Sequence, residues 1–145
     1  MERDVVFLPA YPETNKEIAE WVSDQIWPGQ GRMWTGWYGA LAVFIDDVLA
    51  GAVILHDWEP EWGRVEISGA SINPRSWTRG VFRELHRIVF EELGMQVVFM
   101  RTNENDKLAR VLKAQGFRQT LTPHMRGDQG EITHVMKKEW FNGWK

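Results

Sequence analysis

Apolar residues recur along the chain with two different periods, one typical of strands and one typical of helices. A short apolar run at residues 5–10 predicts a first strand, which prolines close. Ile18, Val22 and Ile26 then recur at helical spacing, and a Pro-Gly pair soon afterwards predicts the end of that helix. Thr14, with a glutamate three residues later, predicts the N-cap.

The clearest helical pattern begins near Arg79 and ends at Gly94, because Val81, Leu85 and Val89 recur at helical spacing opposite a charged face. The elements predicted after the first helix are, in order, strands at 40–45, 51–58 and 63–72, a helix at 79–93, a strand at 96–101, a helix at 105–115, and strands at 117–121 and 132–137. The three consecutive strands are expected to be antiparallel, and the later strand–helix–strand unit parallel. We therefore predict an α/β architecture with a mixed sheet flanked by helices.

Length and composition favour one globular domain covering residues 1–145. With 43% hydrophobic and 26% charged residues, the chain resembles an ordinary globular protein and not a disordered one. No apolar stretch is long enough to cross a membrane, and the first residues do not have the pattern of a signal peptide. We expect no membrane association.

The net charge and the cysteine content disfavour or exclude several classes of function. The net charge of −3 disfavours a protein whose main role is to bind nucleic acid, although a local basic patch is compatible with it. The chain has no cysteine, which excludes disulfides, thiolate metal sites and cysteine nucleophiles and suits a cytoplasmic location. Nine tryptophans against two tyrosines suggest a cleft lined by aromatic rings.

The segment between the fourth predicted strand and the clearest helix has the features of an anion site. The strand ends at Ile72, and the helix begins near Gly80, where unpaired backbone N–H groups would face outward. Arg75, Arg79 and Arg83 surround this helix start, where basic residues oppose the helix dipole unless an anion binds. The alternative is an ordinary loop whose arginines pair with nearby carboxylates.

From Asn73 to Phe117 the chain resembles the core of the GNAT N-acetyltransferase superfamily. In that family a strand leads into a pyrophosphate loop, Gln/Arg-x-x-Gly-x-Gly/Ala, and a later helix carries Asn-x-x-Ala-x-x-Leu-Tyr-x-x-x-Gly-Phe. Here Gly80 matches the first loop glycine, while Asn105, Gly116 and Phe117 match the second motif at its spacing. The order of elements extends the resemblance to nearly the whole chain, which looks most like short acetyltransferase-like proteins of bacteriophage and prophage genomes.

Three positions depart from the family pattern. The opening Gln/Arg of the loop is Trp77, and its last small residue is Phe82, which could crowd a diphosphate or pack into the core. The tyrosine that often protonates the departing thiolate is replaced by Leu112. The resemblance then implies that this proton comes from elsewhere or from water.

The resemblance implies that acetyl-CoA, or another acyl-CoA, is the cofactor. The strand end would hydrogen-bond the pantetheine arm, and the backbone amides of the loop would hold the diphosphate. The expected cofactor-binding residues are Ala70, Ile72, Thr78, Arg79, Gly80, Val81, Phe82, Arg83 and Asn105.

Two residues are candidates for the general base. The family often holds a glutamate on the strand before the pyrophosphate loop, and Glu66 lies at about that distance; the alternative is an ion pair with a neighbour such as Arg64. His56 is the rival, because an imidazole titrates near neutrality. His56 also belongs to an acidic cluster, with Asp57, Glu59 and Glu61, that could attract a cationic amine or form a solvated turn. We expect no metal site there.

The glycine- and aromatic-rich loop at residues 28–39 is expected to form the acceptor pocket. Trp34, Trp37 and Tyr38 would hold an apolar, planar or cationic acceptor; the alternative is a loop that its indoles attach to the core.

The predicted function is acyl transfer from acyl-CoA to the amine of a small molecule or protein, by direct attack in a ternary complex. Two alternatives remain: a phage DNA-modifying enzyme of the Mom type on the same fold, which Arg32 and the arginines of 75–83 would suit, and a non-catalytic binding protein. The oligomeric state is left open, with a homodimer compatible with the family.

Overall fold

The computed structural model describes residues 2–8 and 12–141. The strands are β1 (Arg3–Leu8), β2 (Tyr38–Ile45), β3 (Val48–Glu59), β4 (Arg64–Ser71), β5 (Val97–Asn103), β6 (Arg118–Arg126) and β7 (Gln129–Lys137). The helices are α1 (Pro12–Ile26), α2 (Arg79–His86), which continues as a π-helical segment (Arg87–Glu92), α3 (Leu108–Ala114) and the short α4 (Lys138–Phe141). Apart from α4 and two single 3₁₀ turns, this order is the predicted one. None of the described helices combines the length and apolar character needed to cross a membrane.

The seven strands form one mixed sheet in the order β1-β2-β3-β4-β5-β7-β6, which confirms the predicted α/β architecture. The chain divides into two compact units. The first unit lies within Met1–Trp58 and Ile67–Leu85, and the second within Glu59–Glu66 and His86–Lys145. We describe each unit separately, and the single domain inferred from length stays a prediction.

The first unit is built on the antiparallel pairs β1–β2 and β2–β3. The β2–β3 turn is formed by Asp46 and Asp47, both with left-handed φ, which aspartate adopts more readily than most residues. The apolar face of α1 packs on these strands because its buried positions recur at helical spacing. Its core cluster contains Ile18, Ala19, Val22, Ala40, Ala42, Ala52 and Ile54.

The second unit is built on the antiparallel pairs β5–β7 and β7–β6. β5 and β7 both contribute buried side chains to this unit, among them Val98 and Met136, whereas every residue of β6 is exposed. α3 contributes Ala109 and Leu112 to the buried interior. In the strand order, β6 lies at one edge of the sheet, beside β7.

Several element ends differ from the predicted ones, and two helix starts differ for a local reason. α1 begins at Pro12 and not after Thr14, because proline suits the first turn, where its missing N–H leaves nothing unpaired. α3 begins at Leu108, three residues later than predicted, because the side chain of Asp106 accepts the Leu108 N–H at 2.9 Å in a turn before the helix. The helix that begins at Arg79 becomes π-helical in its second half, since the Leu93 N–H donates to the Ile88 carbonyl, five residues back, at 2.8 Å.

Candidate active site

The first turn of α2 leaves an accessible backbone surface. Thr78 caps the helix: its hydroxyl accepts the Val81 N–H at 3.3 Å, and its carbonyl accepts the Phe82 N–H at 3.1 Å. A Cβ added to Gly80 would meet only Thr78 Oγ1 among the described atoms, at 3.8 Å, and Gly80 does not have a positive φ. Neither packing nor backbone conformation therefore requires glycine here, whereas a ligand that approaches the backbone closely would.

The charge around this turn favours an anion. Arg75, Arg79 and Arg83 are all exposed, and the first turn of α2 contains no acidic residue. Cationic side chains at a helix N-terminus oppose the helix dipole, so their clustering is more easily explained by a negatively charged ligand.

The large side chain of Phe82 does not obstruct the loop. Phe82 is 3% exposed and its ring lies 6.3 Å from that of Trp77, so it packs into the interior and not over the outer face of the turn. Val81 is also buried, in a cluster with Val43 and Ala50. The sequence left two interpretations of Phe82 open, and the structure supports the core position.

The end of β4 is hydrogen-bonded to β3. The Ile72 N–H donates to the Ala50 carbonyl at 2.8 Å, so this amide already has a partner. Ala70 packs against the core cluster of the first unit. A Cβ added to Gly51 would lie 2.8 Å from Ser76 Oγ, which shows how closely the loop after β4 lies against β3. A ligand at Ile72 would meet its carbonyl or its exposed side chain.

His56 is held in a chain of hydrogen bonds. It is 4% exposed; its Nδ1 lies 2.5 Å from Asp57 Oδ2, and its Nε2 lies 2.7 Å from Ser68 Oγ. Because an ionised carboxylate only accepts hydrogen bonds, Nδ1 carries a proton, and in the neutral imidazole Nε2 then accepts from the Ser68 hydroxyl. A buried imidazole with this tautomer has the arrangement of a general base.

An unusual backbone conformation at Asp57 allows its hydrogen bond to His56. Successive side chains of a regular strand point to opposite faces, so adjacent residues do not normally reach each other. Asp57 has a φ of 51°, which turns its carboxylate back toward the ring of His56. The sequence identified His56 and Asp57 as part of an acidic cluster but gave no sign of this turn, and it did not single out Ser68.

The aromatic loop lies against the same histidine. The Trp34 ring is 5.4 Å from that of His56 and 5.8 Å from that of Trp27, and the Trp37 ring is 5.1 Å from that of Trp58. Tyr38 faces His56 in the β2–β3 register. The loop therefore gathers all three predicted acceptor-binding residues near His56 or its strand. Trp34 and Trp37 are half-buried, so each keeps some exposed ring surface.

Glu66, in the second unit, is held in an ion pair. Arg101 Nε lies 2.9 Å from Glu66 Oε2, and Arg101 Nη2 lies 3.2 Å from Oε1, so both carboxylate oxygens accept from one guanidinium. The expected alternative was an ion pair with Arg64, which instead pairs with Glu59 at 3.0 Å. Arg101 is a partner that the sequence could not indicate, because it lies 35 residues later, on β5.

The second predicted motif forms the turn and helix after β5. Asn105 is exposed in the turn, where its N–H donates to Asn103 Oδ1 at 2.9 Å. Leu112 is 1% exposed and packs in the interior of the second unit. The position at which the family often has a tyrosine therefore holds a buried apolar side chain.

Two further histidines of the second unit are structural. Burial among Phe90, Phe117 and Phe141 lowers the pKa of His86 to about 4. Burial also lowers the pKa of His134, and the nearby charge of Asp106 opposes that shift in part. Both rings are therefore neutral near pH 7.

No protein-family model matches the chain, and no curated protein sequence matches it significantly. Solved structures do match. The spermidine/spermine N-acetyltransferase SpeG from Vibrio cholerae, in two mutant forms, superposes with a TM-score of 0.76 and 11% identity, covering 99% of this chain and 100% of that one. A chimera of Vibrio cholerae SpeG and hSSAT gives a TM-score of 0.64 and 14% identity, covering 72% and 69% of the two chains.

A third structure, named as a probable acetyltransferase, gives a TM-score of 0.61 at 18% identity and covers 70% of this chain. The chain spans only 63% of the length of that protein. At such low identities the likeness concerns the fold. The chain therefore has the fold of the GNAT acetyltransferases, which confirms the fold that the resemblance implied.

Proposed function

We propose that the chain is an N-acyltransferase that transfers the acyl group of an acyl-CoA, acetyl-CoA in the first place, to an amine by direct attack in a ternary complex. The observation that carries this proposal is the first turn of α2, on a fold whose solved neighbours include N-acetyltransferases. That turn combines an open glycine, a threonine cap and exposed arginines, which are features suited to a diphosphate.

The residues of this turn fit the cofactor. The space beside Gly80, which a Cβ would partly fill, allows close approach of a diphosphate to the backbone. Arg75, Arg79 and Arg83 supply positive charge, and Ile72 offers its carbonyl to the pantetheine arm. When bound, acyl-CoA supplies an acyl carbon activated as a thioester. Asn105 lies just after β5. Its contribution to cofactor binding stays a prediction.

We assign the general base to His56 and not to Glu66. A protonated amine has no lone pair with which to attack a thioester, so the reaction needs a proton acceptor. Both oxygens of Glu66 already accept from Arg101, whereas the Nε2 of His56 accepts only a hydroxyl hydrogen that can be exchanged. Asp57 lies where its negative charge would stabilise the imidazolium that forms.

The acceptor is proposed to be a small-molecule amine. The solved neighbours named above include enzymes that act on spermidine, a polycation. In this chain the side chain of Asp57 is 63% exposed, and Trp34 and Trp37 present aromatic faces near the same strand. A carboxylate beside aromatic rings favours a cationic ligand.

The departing thiolate is proposed to take its proton from water. Leu112 cannot supply one, but an alkyl thiol has a pKa of about 8.5, so its thiolate is a stable leaving group near neutral pH. The loss of the family tyrosine is therefore compatible with turnover.

Calorimetry with acetyl-CoA, followed by an assay of thiol release with spermidine and other amines, tests the proposal. The chain has no cysteine, so a thiol-reactive dye reports only the CoA that is released. We expect binding, and thiol release that depends on the amine. Binding without release would favour a non-catalytic binder, and neither binding nor release would contradict the proposal. The Mom-type alternative requires modified bases in the DNA of expressing cells.

The cytoplasmic location, the likeness to phage proteins, the absence of a metal and the oligomeric state remain predictions from the sequence.

A further inference from the structure

Ser68 lies between a buried imidazole and the surface. His56 is 4% exposed, and both of its ring nitrogens have partners. Ser68 lies on β4, is partly exposed, and is within 2.7 Å of Nε2. A substrate amine that meets this chain from outside would therefore meet the hydroxyl of Ser68 before it met the imidazole.

The direction of the hydrogen bonds suits the passage of a proton inward. Asp57 fixes a proton on Nδ1, so in the neutral imidazole that a base requires the Ser68 hydroxyl donates to Nε2, and its oxygen lone pairs remain able to accept another hydrogen. The Trp34 ring, 5.4 Å from that of His56, covers part of the imidazole and limits other approaches to it.

We propose that Ser68 is a catalytic proton relay between the acceptor amine and His56. The proposal rests on the N-acyltransferase function proposed above. The ammonium form of the acceptor first loses one proton to Ser68 Oγ, which frees the lone pair of its nitrogen. The hydroxyl proton of Ser68 passes at the same time to His56 Nε2, which later releases it to solvent. The free amine nitrogen then bonds to the acyl carbon, the carbon–sulfur bond breaks, and the nitrogen loses its second proton to water. The thiolate leaves with the electron pair of the broken bond and takes a proton from water.

Three single variants, Ser68→Ala, Ser68→Thr and His56→Ala, and the double variant of Ser68→Ala with His56→Ala test the relay. Acetyl-CoA and spermidine are the probes, and thiol release is the readout. Ser68→Ala is expected to lower kcat about 10²-fold, which is the lower end of a general base's contribution, because water can partly replace the hydroxyl. Ser68→Thr keeps a hydroxyl and should retain kcat to within about fivefold. The KM for acetyl-CoA should change little in either variant.

The double variant separates a relay from a structural role. If Ser68 acts only through His56, Ser68→Ala should cost almost nothing further once His56→Ala is present, because the two residues act as one unit. Thr120→Ala, which removes an exposed strand hydroxyl from β6, serves as the matched control and should leave the rate unchanged.

Four results would overturn the relay. The first is a wild-type rate in Ser68→Ala; the second is a full additional 10²-fold loss in the double variant; the third is a lowered melting temperature that accounts for the loss in both Ser68 variants. The fourth is an acetyl group on Ser68 in the intact mass after acetyl-CoA alone, which would make the residue a nucleophile. If the wild type releases no thiol with any amine, the proposed function fails, and the relay fails with it.

Discussion

Replacing Glu66 by glutamine distinguishes a structural ion pair from a catalytic base. Glu66→Gln keeps the shape of the side chain and one hydrogen-bond acceptor, but it removes the charge and the capacity to take a proton. The Glu66 side chain is 9% exposed, and that of its partner Arg101 is 52% exposed. Because the partner is half in water, it can be rehydrated when the pair is lost.

The expected cost follows from this asymmetry. A hydrogen bond to a charged group is worth about 1.5–3 kcal/mol, and the exposure of Arg101 reduces that figure. We expect Glu66→Gln to lower the free energy of unfolding by about 1–2 kcal/mol. For a chain of this size that corresponds to a fall in Tm of roughly 2–8 °C. The kcat for acetyl transfer should stay within about threefold of the wild type.

Thermal melting and the thiol-release assay on the same samples provide the measurement. Arg101→Leu should destabilise the protein more than Glu66→Gln, because it leaves the more buried charge without this partner. Glu131→Gln is the matched control: it breaks an ion pair with Arg126 on the β6–β7 hairpin and should cost less than Glu66→Gln, because that pair has one hydrogen bond where the Glu66 pair has two. A 10²-fold fall in kcat with an unchanged Tm would refute the structural role and make Glu66 the base.

Three further predictions follow from the structure. Gly80→Ala should raise stability by about 0.5–1 kcal/mol, since no packing opposes the new methyl group, while Gly80→Val weakens acetyl-CoA binding at least tenfold in calorimetry; unchanged affinity in Gly80→Val would contradict the diphosphate site. His56→Ala should lower kcat by 10²–10⁴-fold, or about 3–5.5 kcal/mol of barrier, with little change in KM for acetyl-CoA. Because the pKa of His86 falls from 6.5 to about 4 on folding, the unfolded chain takes up the proton first on acidification. Stability should therefore fall by about 3 kcal/mol between pH 6.5 and 4, and urea titrations should show a smaller loss in His86→Phe.

Most of the fold was predictable because hydrophobic spacing is a local signal. The predicted order of strands and helices is confirmed, and the mixed sheet with it. The errors lie at element ends, where a single residue can move the start of a helix. Asp106 delays the start of α3, and Pro12 advances the start of α1. The π-helical segment was missed because its spacing differs from that of an α-helix by less than one residue per turn.

The candidate site was predictable only where a motif is continuous in sequence. Gly80 and its flanking arginines belong to one segment, so the sequence located them. The partners of His56 and Glu66 depend instead on strand register and on one left-handed residue, Asp57, and neither is visible as a pattern. Ser68 shows this most clearly, because a serine in a strand has no distinguishing neighbour in the sequence.

The departures from the family pattern differ in how much they affect the proposed reaction. Phe82 is buried, so the first turn of α2 keeps its open surface. Leu112 removes a proton donor, but the proposed leaving group is a thiolate that needs no such donor near neutral pH. A proton acceptor is different, because a protonated amine cannot attack at all. The hydrogen bonds that join Asp57, His56 and Ser68 provide a proton acceptor, which the proposed reaction requires. The presence of this acceptor therefore favours catalysis more strongly than the missing tyrosine opposes it.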